Sequence, residues 1–166
     1  MSHYPERIVC LTEETTELLY LLGQQDRIVG ISGFTKRPIQ ARSEKPIVSS
    51  FVDAKIDKII DLKPDLVVGF SDIQADIAKQ LIQKGINVWI NNQRTLEEIK
   101  WFIVQMGTLV GARDESLGLI EKFELKVLHM EKRIDEWPIR PRVYFEEWDD
   151  PIISGIAWVS ELVELA

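Results

Sequence analysis

The sequence predicts an α/β protein: a Rossmann-like parallel sheet lobe with flanking helices, followed by a long helix and a further strand and helix. Three observations carry that reading. Short β-favouring apolar runs alternate with stretches of helical periodicity, the pattern of a parallel layer joined by crossover helices. The run Leu66-Val67-Val68 shows no in–out alternation, as expected of a strand covered on both faces. Just ahead of it, Ile56, Ile59 and Ile60 share one face of a short helix that Pro64 brings to an end, because proline cannot donate to the helix and biases Lys63 away from helical angles.

The remaining elements follow in order. Residues 8–11 form the first strand, and Thr12 stands as N-cap of a helix whose first turn carries Glu13 and Glu14, the charge its dipole favours. Leu18, Leu19, Leu21 and Leu22 make the buried side of that helix, and Gly23 stops it. Residues 28–31 form a second strand leading into Ser32-Gly33-Phe34-Thr35. A loop containing Pro38 and Pro46 then leads to Ile47-Val48 and Ser49-Ser50-Phe51. Beyond residue 70, Ser71 and Gln74 make a capping-box pattern for a helix with Ile73, Ile77 and Leu81 at four-residue spacing, ended by Gly85. Residues 86–90 form the next strand, followed by the polar turn Asn91-Asn92-Gln93. Thr95 and Glu98 repeat the capping box ahead of Leu96, Ile99, Ile103, Met106 and Val110, and Gly111 closes that helix. Residues 114–136 read as one long helix with a narrow apolar stripe of Ile120, Phe123, Val127, Met130 and Ile134. After the break at Trp137-Pro138, residues 143–145 begin a strand and residues 160–165 a helix.

Composition excludes several function classes. With 166 residues, 45% of them apolar and 28% charged, the chain can bury one substantial core, or one core and part of another. A net charge of −7 without any basic cluster argues against nucleic acid or an anionic membrane surface as partner. No run of 18 apolar residues is present, so no membrane insertion is expected. The polar opening residues lack an apolar signal core, and the chain as written reads as cytoplasmic. The one cysteine, Cys10, sits in an apolar run as a core side chain and permits no intrachain disulfide.

Signs of catalysis are absent from the sequence. His3 and His129 have no Cys or His at ligand spacing, so no metal site is expected. There is no G-x-S-x-G elbow, phosphate-cradling glycine loop or dinucleotide fingerprint, and the chain reads as a non-enzyme without a cofactor. Glu146, Glu147, Asp149 and Asp150 surround Trp148, but their spacing is not that of a calcium loop and a solvated loop accounts for them.

The aromatic residues say more. Phe34, Phe51 and Phe70 each follow a short β run among small or polar neighbours, and parallel strands bring such positions to one edge of the sheet, where open α/β sheets hold their ligands. An apolar lining with a few polar groups suits a large organic ligand. The pattern fits equally a phenylalanine plugging the end of the core at each position.

The run from Arg7 to Leu19, then Asp26-Arg27-Ile28-Val29-Gly30, then Leu62-Lys63-Pro64-Asp65-Leu66-Val67, and later the run from Arg142-Val143-Tyr144 to Ser154-Gly155, resemble the cobalamin and iron-siderophore substrate-binding proteins of ABC importers. The resemblance spans nearly the whole chain. It implies two α/β lobes joined by one long helix, with the ligand held between them. On that reading residues 1–112 are the first lobe, 113–137 the connecting helix and 138–166 the start of a truncated second lobe. The ligand implied is cobalamin or a similar large metal chelate such as an iron-siderophore or haem, the further partner an ABC permease, and the location extracytoplasmic. Phe34, Phe51 and Phe70 match positions where aromatic side chains face the corrin, although tyrosine or tryptophan is more usual there; Trp148 and Trp158 complete the candidate ligand-binding set. Asp57 falls where a permease-docking glutamate normally stands, with the same charge and a shorter reach. The alternative is a truncated structural or regulatory module that keeps the fold without transport. The apolar stripe of the long helix, with Trp158 and Leu162, further predicts self-association, in the form of a homodimer that exchanges the segment after Pro138.

Overall fold

The computed structural model describes residues 3–166; Met1 and Ser2, where the first lobe is drawn as beginning, lie outside the described residues. Five parallel strands, β1 (Ile8–Cys10), β2 (Ile28–Ser32), β3 (Ile47–Ser49), β4 (Leu66–Phe70) and β5 (Val88–Asn91), make one sheet in the order β3-β2-β1-β4-β5. β1 is central, with Ile8 opposite Ile28 on one side and Leu66 on the other. The winding direction therefore reverses between β1 and β4, which opens a crevice at their carboxyl ends.

The connections carry helices α1 (Glu13–Leu21), α2 (Ala41–Glu44), α3 (Ile56–Asp61), α4 (Ala75–Gln83) and α5 (Leu96–Leu109). Alternate residues of β1 feed two cores. Ile8 and Cys10 pack with Leu18, Leu19, Phe102 and Met106 under α1 and α5, while Val9 and Leu11 pack with Ile59, Ile77 and Leu81 under α3 and α4. The parallel α/β fold with helices on both faces thus agrees with the expectation from sequence. Burial also pushes the Cys10 thiol up to about 12, so it is a neutral core side chain.

The Leu62-Lys63-Pro64-Asp65 run acts as a clamp between α3 and the start of β1. The Asp65 carboxylate accepts the backbone N–H groups of Glu6 (2.7 Å) and Arg7 (3.1 Å). The Arg7 guanidinium in turn donates to the carbonyls of Leu62 (2.7 Å) and Lys63 (3.1 Å), satisfying the end of the helix. Lys63 is turned to φ +47°, well outside helical angles.

Several local expectations change. The loop after β2 contains α2, and the strand expected at residues 86–90 is shifted to Val88–Asn91. Thr12 has the extended backbone of an N-cap, but its hydroxyl is turned to the Glu14 carboxylate (2.7 Å) and makes no cap bond. Leu21, expected inside, is 60% exposed. Residues 143–145 form no strand. The two-stranded ribbon is instead β6 (Trp148–Asp149) with β7 (Ile152–Ile153), folded about Asp150-Pro151.

The long helix α6 (Arg113–Ile134) has 22 residues and is about 33 Å long. It starts against α5 so closely that a Cβ on Gly107 would lie 2.5 Å from the Ser116 side chain, and Lys100 then joins the two helices through Glu124 (3.2 Å). Along the stripe Ile134 is buried, Ile120, Phe123 and Val127 are half-buried, and Met130 is 55% exposed. The last helix, α7 (Ala157–Leu165), folds back onto the same chain. The Trp158 N–H donates to the Arg94 carbonyl (2.8 Å), and the Glu161 carboxylate accepts the Leu96 N–H at the start of α5 (2.6 Å). No helix among the described residues is long and apolar enough to cross a membrane.

The segment after β4 departs most from its expected pattern. Ser71 accepts the Ile73 N–H as a cap, but Gln74 does not reach back to Ser71. Its side chain is fully buried, and Ile73, expected inside, is 51% exposed. The Gln74 carboxamide accepts the Phe70 N–H (3.0 Å) and donates to the carbonyls of Leu11 (3.2 Å) and Phe51 (3.0 Å), tying together the chain just beyond β1 and β3 and the end of β4. Gly69 leaves room for it, since a Cβ there would come within 2.4 Å of the Gln74 carbonyl oxygen. Replacing Gln74 by Leu strips three backbone groups of this partner, and unmet buried groups cost about 1–3 kcal/mol each. We expect Gln74→Leu to lower unfolding stability by about 3 kcal/mol or more in urea titrations; an unchanged midpoint would show that water replaces the amide without loss.

Candidate functional site

The carboxyl edge of the sheet opens into a cleft of about 710 Å³, closed on its far side by the β6–β7 ribbon and the start of α7. Phe51 and Phe70 stand on the sheet side, Ile99 and Phe102 on α5, and Trp158 on α7. The cleft lies beyond the carboxyl ends of the strands, where Phe51 after β3, Phe70 at the end of β4 and Gln93 after β5 line it. Ser71, at the end of β4, holds φ +59°, a conformation that a residue with a Cβ adopts only under local constraint. Its N–H is held by the Asn91 carbonyl (2.6 Å).

The structure brings together some of the sequence-derived candidates and separates others. Phe51, Phe70 and Trp158 share the cleft. Phe34 lies next to it, edge-on to Phe51 with ring centroids 6.4 Å apart and planes at 78°, and is 55% exposed. Trp148 is outside the lining: it is 60% exposed on β6, with its indole N–H on the Asp150 carbonyl (3.0 Å). Asp57 is exposed in the first turn of α3 and is not part of the cleft lining.

The polar part of the lining went unnoticed in the sequence. Arg94 follows the Asn91-Asn92-Gln93 turn and stacks over the Phe70 ring at 5.6 Å, a cation–π contact. Its guanidinium also meets Asn92 (3.0 Å) and Asp72 (3.7 Å). Glu14 and Glu17 enter from α1, and Glu147 from the ribbon. Burial pushes the Glu14 carboxyl above the usual carboxylate range, opposed by the Thr12 hydroxyl that bonds it. Glu17 lies 3.3 Å from Arg37. The rule that singled out Phe70, position at the carboxyl end of a strand, applies equally to the turn after β5 and is the signal that finds Gln93 and Arg94. No group of His, Cys, Asp and Glu among the described residues could hold a metal ion.

The sequence profile described as "Periplasmic binding protein" matches residues 8–166. The chain belongs to this family. It is a family of binding proteins rather than enzymes. The chain is 28% identical over 155 residues to an uncharacterized ABC transporter substrate-binding lipoprotein of Bacillus subtilis, covering 90% of this chain and 49% of the relative. It resembles the crystal structure of the periplasmic vitamin B12 binding protein of Vibrio cholerae with a TM-score of 0.73 and 27% identity, over 90% of this chain and 58% of that one. The fold is also that of a possible iron-binding, periplasmic solute-binding protein of Staphylococcus epidermidis, with a TM-score of 0.85 at 21% identity, over 97% of this chain and 65% of that one. The chain spans about half to three-fifths of the length of the curated relatives it matches.

Proposed function

We propose that this chain is an extracytoplasmic substrate-binding component of an ABC importer, and that its cleft takes cobalamin or a similarly large metal chelate. The observation that carries the reading is the cleft of about 710 Å³ edged by Phe51, Phe70 and Trp158, a lining suited to the flat face of a large chelate ring held by aromatic contacts. The vitamin B12 binding relative from Vibrio cholerae supports the same ligand class. Phe34 extends the aromatic edge beyond the cleft, and Trp148 is proposed to meet a ligand that overhangs the ribbon. Absorbance titration with cyanocobalamin and a ferric siderophore tests this directly. A one-to-one spectral change with either supports the binder, and silence with both favours a structural or regulatory module that keeps the fold without transport. In the same assay Phe51→Ala is expected to weaken binding while costing less stability than the roughly 3–5 kcal/mol of a core aromatic truncation. A large stability loss with unchanged binding would assign Phe51 to the core.

Two partner surfaces complete the proposal. Asp57, exposed on α3, is offered as the contact with the permease. Charge reversal to Lys is expected to leave the unfolding midpoint within about 0.5 kcal/mol of the parent, as for surface substitutions generally, and to reduce permease association in a pull-down with the reconstituted transporter. Marked unfolding would mean a structural partner for this carboxylate. The homodimer is proposed on the apolar side chains that stay exposed on and after α6, among them Leu125, Leu128, Met130, Trp137 and Ile139. Sedimentation equilibrium at micromolar concentration is expected to give twice the chain mass, and a monomer mass rejects the pairing.

A further inference from the structure

The polar groups of the cleft are unevenly matched. Among the described residues, the charged lining comprises the carboxylates Glu14, Glu17 and Glu147 against one cation, Arg94. That cation is already engaged by Asp72, Asn92 and the Phe70 ring. Two acceptors are open: the Glu147 carboxylate makes no side-chain hydrogen bond or ion pair among the described residues, and the buried Gln93 carbonyl oxygen has no hydrogen-bond partner there either. Glu14 and Glu17 are engaged by the Thr12 hydroxyl and by Arg37, both outside the lining. A ligand seated here meets acceptors with lone pairs to spare and a donor that is largely spent. Where a bound ligand shuts water out of the cleft, unmatched polar groups become costly, and a like charge on the ligand is costlier still.

We infer that the cleft selects a chelate whose rim donates hydrogen bonds, through carboxamides or hydroxyls, and rejects one whose rim carries carboxylates. This rests on the binding reading above and names its substrate class. Discrimination then comes from repulsion of the wrong rim as well as from attraction of the right one. Glu147 and Gln93 are the specificity-determining side chains, one beside the ribbon and one in the turn after β5.

A matched pair of corrin rings tests the idea: dicyanocobinamide, whose side arms are amides, and dicyanocobyrinic acid, the same ring with carboxylates. Binding is followed by absorbance or calorimetry in about 0.5 M salt, where screening within a few ångström suppresses the general effect of the chain's negative charge. The amide ring is expected to bind more tightly by about tenfold or more. In Glu147→Lys the gap is expected to narrow, mainly through tighter binding of the acid ring, while the far-UV spectrum and unfolding midpoint stay those of the parent, since Glu147 is exposed. Equal or tighter binding of the acid ring by the parent overturns the inference. A gap unmoved by Glu147→Lys and by Gln93→Leu overturns the assignment to these residues. If neither ring binds, the chelate-binding reading itself falls, and the inference with it.

Discussion

The architecture of the cleft depends on one buried carboxamide. A parallel sheet satisfies its backbone internally only along the strands; where the strands end, carbonyls and N–H groups face the crevice and need other partners. Gln74 answers three of them at once, on segments far apart in sequence: Leu11 after β1, Phe51 after β3 and Phe70 at the end of β4. An amide suits the position because it is both donor and acceptor without charge, and because its bonds to two carbonyls and one N–H fix which end is which. The glycine at position 69 and the left-handed Ser71 follow from it: the first keeps a side chain out of the amide's place, and the second turns the chain so that residue 74 points inward.

With the strand ends fixed in this way, Phe51 and Phe70 are held by backbone that cannot drift, which suits flat contacts with a large ligand. Phe70 closes β4 and Phe51 follows β3 by two residues, and the rings contribute area at little cost in side-chain entropy. Arg94 has a double part. It covers the Phe70 ring, and its backbone carbonyl receives the Trp158 N–H, so the same residue helps hold α7 against the sheet lobe.

The connection between α5 and α7 explains how a segment with few buried side chains keeps its place. Glu161 accepts the Leu96 N–H at the start of α5, where the first turn offers unpaired donors and a positive end of the helix dipole. The Thr95 and Glu98 capping box satisfies neighbouring N–H groups of the same turn. Glu98 is held below the usual carboxylate range because it accepts the backbone N–H groups of Arg94 and Thr95. One helix start thus anchors the cleft's far wall through polar contacts, while α6 runs past it with most of its stripe only half-buried.

Local sequence rules determined the parallel α/β class, the five strands of the sheet with their main helices, the capping box at Thr95, the long helix and the candidate edge at Phe34, Phe51 and Phe70. Each rests on a short-range cause: periodicity, the ban on proline within helices, a carboxylate near a helix start. What the sequence alone missed lies where a long-range partner overrides local preference. Gln74 matched a capping box, yet backbone groups 23 and 63 residues away claim its amide; Ile73 then faces the cleft because its neighbour has taken the inward position. Residues 143–145 have strand composition but no strand beside them to bond, and the ribbon forms instead where Trp148 and Ile153 pair across a tight turn. The polar lining was hidden for the same reason: Glu14, Glu17, Gln93, Arg94 and Glu147 look like ordinary surface residues until the tertiary structure brings three distant segments around one cavity.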